Sequence, residues 1–444
     1  MDQKNMARTL AELVAAKGGR VYYVGGFVRD RLLGIENKDV DVEVHGITPE
    51  TLEAILDGLG TRLEMGSSFG VYGLKGWDLD IAMPRQEEAT GRGHKDFKVL
   101  VNPFIGTWKA AMRRDFTINA MMEDVLTGEV IDHFGGREDL KNGCLRHVNN
   151  QSFPEDALRV LRCAQFAARF EFQIAPETMA LCRGLELRHL SRERVLEEMR
   201  KALLKAEKPS IFFQILRDMG QLNYWFPEVE ALSGVPQPKK YHAEGDVWNH
   251  TMRVLDMAAQ RREQVTNPTG FLVSALCHDF GKAVCTEEIN GVIHAYAHET
   301  EGLPLVKTFL DRITSEKSLI QYVLNMVELH MKPNKMAGTS SIKAMNRLFD
   351  RSVAPEDLIH LAACDEAGRI LQQPRPSVEP ILWQRYEIFQ EYMARPYVMG
   401  ADLVEAGLKP GKDFHQLLEL AHKLRLSGVG KEEALKQVLA QARK

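Results

Sequence analysis

The stretch VYYVGGFVRDRLLGIENKDVDVEVHG, Val21 to Gly46, sets two adjacent glycines, an arginine and two alternating aspartates between runs of β-branched residues. VYYV reads as a strand and FVRDRLL as a short helix closed by Gly34, which leaves Gly25 and Gly26 at the helix amino terminus. Such a turn lets an anion approach backbone N–H groups, helped by the helix dipole, and Arg29 one turn along adds a fork of charged donors. KDVDVEV then alternates as a strand does, so Asp39 and Asp41 point to one face. Two carboxylates on one face repel unless a cation sits between them, and hard oxygen ligands of this kind suit Mg²⁺, which completes its shell with water and substrate phosphates. A dinucleotide-binding turn is excluded, because the third glycine and its helix-opening pattern are absent.

Outward from this stretch, the first 150 residues mix short β-branched runs (VYYVGG, VDVEVHG, LDIAM, EVIDHF) with glycine turns, as a small mixed α/β unit does. From about Phe153 the pattern turns helical, in EDALRVLRCAQFAARFEF, RERVLEEMRKALLKA and PSIFFQILRDMGQL. LSGVPQPKKYHAEGD reads as a linker into a third unit, and QQPRPSVEP as a break before a helical tail. With 444 residues, 44% of them hydrophobic, the chain has room for roughly two to four domains. The amino terminus carries charges throughout, and no window reaches the roughly 18 apolar residues of a membrane helix, so a cytoplasmic, membrane-free protein is expected. Six cysteines lie far apart without a C-x-x-C pair, which argues for reduced thiols rather than disulfides or a zinc knuckle. A formal charge of −4 means that any polyanionic partner must be held by local basic patches.

Three further stretches carry chemistry. WDLDIAMPR offers Asp80, with Asp78 as the lesser candidate, for a third carboxylate. MRRDFTINAM sets Arg113, Arg114 and Asp115 ahead of a helical run, with Asn119 in a structural role. In SFPEDALRVLRCAQFAARF, Ser152 and Glu155 form a capping box with Pro154 in the first turn, so a helix is expected to begin there; Asp156 and Arg159 share one face of it, with Arg162 a turn on. Each alone also fits a solvated charge cluster or a structural salt bridge.

Together these stretches resemble the nucleotidyltransferase signature of class II tRNA CCA-adding enzymes and bacterial poly(A) polymerases. The resemblance implies that Asp39 and Asp41, with Asp80, serve two-metal phosphoryl transfer from a nucleoside triphosphate to a primer 3′-hydroxyl. It implies that Arg114 bridges phosphates, Asp115 faces the ribose, and Arg162 holds phosphate. Asp156 and Arg159 would act as a protein template: cytosine and adenine both present an exocyclic amino donor beside a ring-nitrogen acceptor, whereas uracil and guanine would leave a carbonyl facing the carboxylate. PRQEEATGRGHKDFKV, Pro84 to Val99, resembles the family's mobile loop that helps switch from C to A addition. Downstream, His250, the pair His278 and Asp279, His298, His330 and Asp365 stand in the order of an HD phosphohydrolase, which binds divalent transition metal; Lys282 would touch substrate phosphate.

The architecture so implied is α+β: a polymerase-β-like nucleotidyltransferase head of mixed sheet and helices over 1–150, an all-helical neck and body over 151–235, a helical HD domain over 236–370 and a helical tail over 371–444. The implied substrates are tRNA, CTP and ATP, with a second, end-repairing hydrolase activity on cyclic or monoester phosphates. The rivals are a poly(A) polymerase or A-adding enzyme, and a regulatory HD hydrolase whose head merely binds nucleotide.

Overall fold

The computed structural model describes residues 3–37, 39–66, 70–89, 97–373, 375–411 and 413–442. The chain divides into two compact units, Met1–Leu190 with Gln214–Gln221, and Ser191–Phe213 with Leu222–Lys444. Among the described residues no helix is long and apolar enough to cross a membrane.

The first unit is built on a seven-stranded sheet. Its strands are β1 (Arg20–Val24), β2 (Val40–His45), β3 (Arg62–Gly66), β4 (Val71–Leu74), β5 (Leu79–Ala82), β8 (Met122–Asp124) and β9 (Val130–Ile131), in the spatial order β3-β4-β5-β2-β1-β8-β9. All neighbours run antiparallel except β2 and β5, which are parallel and set Asp41 opposite Asp80. The alternation of β2 sends Val40, Val42 and Val44 into the core. The helix Gln3–Ala15 lies on β1 and β2 and buries Met6, Leu10 and Val14.

Several local expectations are corrected. Pro84–Val99 is not a loop throughout, since β6 (Arg85–Ala89) and β7 (Phe97–Val101) pair as antiparallel arms; the reading of Thr90 to Asp96 lies outside the described residues. Arg113 to Asp115 precede only a 3₁₀ turn, Thr117–Asn119, because the chain must re-enter the sheet at β8. The capping box does not form: Ser152 Oγ donates to Met112 O at 2.9 Å, and only a 3₁₀ turn, Phe153–Glu155, begins there. The helix proper, Leu158–Phe170, starts where Asp156 Oδ1 accepts from Leu158 N at 3.0 Å. Phe116 meets Phe153 and Phe166 edge-on at 5.7 and 5.8 Å, which ties this helix to the strand-entry segment; such pairs contribute about 0.5–1.5 kcal/mol each beyond burial.

The second unit is largely helical. Asp246 caps the helix Val247–Ala259 by accepting from Asn249 N at 2.9 Å. The helices Pro268–Cys277 and Pro355–Gly368 pack against it and against each other, and Lys317–Leu329 packs against those two. Asp357 pins the last of these by accepting from Tyr322 Oη at 2.6 Å and Thr266 Oγ1 at 2.7 Å. A hairpin, Thr286–Ile289 with Val292–Ala295, interrupts the helices; Asn290 and Gly291 supply its two left-handed turn residues. The tail closes on its own core of Val398, Leu403, Leu417, Ala421, Ala434 and Val438. The cysteines are all free.

Candidate active sites

The parallel register of β2 and β5 sets Asp41 beside Asp80, and Asp39 and Asp78, one residue before each strand, bring two more carboxylates to the same place. Asp39 and Asp80 are exposed, and Asp41 is half-buried between them. Burial, then the facing Asp80, then Asp39 and Asp78 push the Asp41 carboxyl up to about 6, against the pull of Arg114. Burial and the same neighbouring acids raise Asp80 as well. Asp41 and Asp80, two carboxyls that resist ionisation side by side, offer the hard oxygen donors that suit a divalent cation.

Gly25 closes this face from the β1 side. Its φ of 66° suits glycine, and a Cβ there would stand 3.2 Å from Arg114 Nη1 and 3.9 Å from Asp41 Oδ2. Arg114 is held from behind by Glu43, whose Oε2 lies 3.3 Å from Nη2, while Glu43 Oε1 meets His45 Nε2 at 2.8 Å. Glu43 and His45 went unread in the sequence, although the alternation that singles out Asp39 and Asp41 continues through both.

The other residues read from the motifs are largely engaged with each other, and Arg29 is a correction. Its guanidinium is buried, donates to Asp30 Oδ1 at 2.7 Å and Asn119 Oδ1 at 2.6 Å, and lies over the Phe166 and Phe170 rings at 5.1 and 4.8 Å. It braces the turn at Gly26 from inside instead of facing an incoming phosphate. Asp115 is buried and accepts from Phe116 N at 2.8 Å, Asn119 Nδ2 at 3.0 Å and Arg162 Nε at 2.7 Å. Asp30 also accepts from Asn37 Nδ2 at 2.9 Å, and Asn37 Oδ1 accepts from Asp39 N at 3.0 Å. A continuous polar seam therefore runs from Arg162 through Asp115, Asn119, Arg29, Asp30 and Asn37 to the backbone of Asp39. Arg159 Nη1 donates to Ser152 O at 2.6 Å and its Nη2 to Arg113 O.

In the second unit, His250, His278, Asp279, His298, His330 and Asp365 do converge. Asp279 Oδ2 lies 3.2 Å from His278 Nε2 and 3.7 Å from His250 Nε2, and its Oδ1 lies 3.1 Å from His298 Nε2 and 3.9 Å from His330 Nε2. Asp365 Oδ1 is 3.1 Å from His250 Nε2. His278, His298 and His330 each donate Nδ1–H to the carbonyl three residues back, that of Ala275, Ala295 and Val327, at 2.7–2.9 Å. A carbonyl can only accept, so in its neutral form each ring turns an Nε2 lone pair into the cluster. Burial and the neighbouring His278 keep His330 neutral, its pKa down at about 3. Among the described residues the buried Nε2 of His330 has no hydrogen-bond partner, which fits it to a metal ion. Burial opposes ionisation of Asp279, yet His278 and Lys282 hold its carboxyl well below the usual carboxylate range.

Lys282, expected to meet substrate phosphate, lies 2.7 Å from Asp279 Oδ2 and donates to Gln237 Oε1 at 2.8 Å. The segment read as a plain linker thus supplies Gln237, and with it His242 and Glu244. Glu244 Oε1 stands 2.7 Å from His242 Nδ1 and 3.1 Å from His250 Nδ1.

Family models match the chain in three places: a poly A polymerase head domain over residues 21–146, a probable RNA- and SrmB-binding site of polymerase A over 171–232, and an HD domain over 247–367. The multifunctional CCA protein of Nitrosococcus oceani is 37% identical over 398 residues, covering 88% of this chain and 93% of its own. The chain belongs to the multifunctional CCA protein family. The Actinobacillus pleuropneumoniae serotype 5b member of that family is 39% identical over 325 residues, 72% of this chain and 77% of its own. Among solved structures, a CCA-adding enzyme with ATP superposes with a TM-score of 0.68 at 23% identity, over 99% of this chain and 94% of that one. The Bacillus stearothermophilus CCA-adding enzyme in complex with CTP gives 0.68 at 20% identity, over 100% and 98%. At such identities the structures speak for the shared fold, while the CCA-protein relatives carry the family.

Proposed function

We propose that this chain adds C, C and A without a nucleic-acid template to the 3′ end of tRNA, using CTP and ATP. The observation that carries this reading is the group of four carboxylates on and just before β2 and β5, closed by the Gly25 turn and opposed by Arg114. Mg²⁺ bound there would activate the primer 3′-hydroxyl and neutralise charge on the leaving pyrophosphate. Asp39, Asp41 and Asp80 would hold it. Arg114, braced by Glu43, presents fixed positive charge beside Gly25, where the triphosphate approaches. Asp115 and Arg162 set the position of the Leu158–Phe170 helix and of the turn that leads into it. Asp156 and Arg159 lie at that entry; to read a base they exchange their contacts with Leu158 N, Ser152 O and Arg113 O for the base edge.

The test is extension of tRNA transcripts ending before CCA, after C and after CC, with CTP and ATP supplied singly and together. Stepwise addition that stops at three nucleotides is expected. Addition of A alone to the CC end would reassign the chain as an A-adding enzyme, and an unbounded A tail as a poly(A) polymerase.

Glu43→Gln checks the bracing of Arg114. Hydrogen bonds to charged groups contribute about 1.5–3 kcal/mol, so kcat/KM for CTP is expected to fall about 10- to 100-fold. Steady-state kinetics with circular dichroism on the same samples decide it; wild-type kcat/KM in a folded variant would remove Glu43 from the site.

We further propose that the His/Asp cluster of the second unit is a metal-dependent phosphohydrolase centre acting on 2′,3′-cyclic or monoester phosphate ends. Four imidazoles and two carboxylates suit a first-row transition metal. A bound metal would polarise the phosphate and generate hydroxide near neutral pH. Asp279, ionised and central, and Lys282 beside it fix the charge balance that such a centre needs.

A further inference from the structure

Four imidazoles face the buried cluster, and three are oriented by their own backbone. His278, His298 and His330 each donate to a carbonyl one helical or hairpin step behind, an anchor that no substitution elsewhere removes. His250 differs. Its Nδ1 lies 3.1 Å from Glu244 Oε1, and no backbone carbonyl takes its place among the contacts of the described residues. Glu244 is itself fixed: its side chain is 2% exposed, its Oε1 also meets His242 Nδ1 at 2.7 Å, and its Oε2 accepts from Ile370 N at 2.8 Å. Ala243 N donates to Ile370 O at 2.9 Å, so the segment before the His250 helix is fastened to the residue just beyond the Asp365 helix. His242 packs edge-on against His250 with ring centroids 4.9 Å apart.

We infer that Glu244 is the positioning residue of this centre: by accepting from His250 Nδ1–H it turns His250 Nε2 toward Asp279 and Asp365, and by holding Ile370 N it fixes the spacing between the two helices that carry His250 and Asp365. The carboxylate also makes the imidazole a stronger donor to metal than a peptide carbonyl does. His250 is therefore the ligand of the set whose strength depends on a side chain outside it. This inference rests on the reading of the cluster as a metal centre.

The test uses full-length protein stripped with EDTA and titrated with Co²⁺, followed by calorimetry and by the visible ligand-field bands. His278→Ala marks which binding event belongs to the cluster. Wild type that shows no event lost in His278→Ala would overturn the metal centre itself, whatever Glu244 does. If the event is present, Glu244→Ala is expected to weaken Co²⁺ about 10- to 100-fold and shift the bands. Glu244→Gln keeps an acceptor oxygen for His250 Nδ1 but loses the charge and the acceptor for Ile370 N, so a loss smaller than in Glu244→Ala, with bands nearer those of wild type, is expected. Wild-type affinity and bands in Glu244→Ala would overturn the role. Should Glu244→Ala fail to fold, Glu244→Gln binding as tightly as wild type overturns the carboxylate's contribution.

Discussion

Asp41→Asn is expected to abolish nucleotide addition, by about 10³-fold or more in single-turnover extension, while leaving tRNA binding in place. Asp41 is the most enclosed of the four carboxylates and sits opposite Asp80 in the parallel register. An amide of the same shape cannot share a cation with Asp39 and Asp80, so the charge that the site must collect is lost without a change in packing. The same substitution has a second signature. In the folded chain the Asp41 carboxyl binds its proton more tightly than its ordinary value of 3.8 allows, since its pKa is pushed up to about 6. Its ionisation thus weighs on the fold fully above about pH 6 and not at all below the ordinary carboxylate range. In EDTA the asparagine variant should be the more stable protein at neutral pH, and the difference should fade as pH falls through 6 toward 4. Retained extension would take the aspartate pair out of the mechanism; equal thermal stability at all pH values would take the repulsion out of the site.

Asp279→Ala should remove metal-dependent hydrolysis of a 2′,3′-cyclic nucleotide down to background while nucleotide addition continues. Asp279 is buried and lies within 3.9 Å of four imidazole nitrogens, whereas Asp365 meets His250 from one side, so removing Asp279 takes the charge from the point where all four rings meet. Removing it leaves Lys282 beside the histidines without its anion, a cost that the fold of this unit must absorb. Asp279→Asn, which keeps the volume, separates the loss of charge from the loss of packing. Loss of addition and hydrolysis together in the folded asparagine variant would mean that the cluster serves structure rather than a chemistry of its own.

The β2 alternation made Asp39 and Asp41 legible, because a period of two is a local property. It would have shown Glu43 and His45 by the same rule. The pairing of Asp41 with Asp80 was not legible: it depends on a parallel neighbour reached only after β3 and β4. Arg29 illustrates the limit differently. Its motif suits a phosphate, yet its environment is set by Phe166, Phe170 and Asn119, which only the fold brings to it. Ser152 satisfies a capping pattern, but the competing acceptor Met112 O lies far back in the chain. The order of histidines and aspartates was enough to name the second cluster, since each stands on a helix or at a helix end. Glu244 carried no spacing signal, for its value lies in reaching His250 and Ile370 at once.

The polar seam from Arg162 to Asp39 also bears on how such a head can be altered. Its hydrogen bonds cross from the Leu158–Phe170 helix to the 3₁₀ turn, to the helix after Gly25 and on to the residue before β2, so four segments, the last two adjacent in the chain, share one set of donors and acceptors. A chimaera that imports the Leu158–Phe170 helix alone would strand Asp115 or Arg29 in the interior with half its contacts. The unit of exchange in this head is the seam, and grafts that respect it must carry all four segments together.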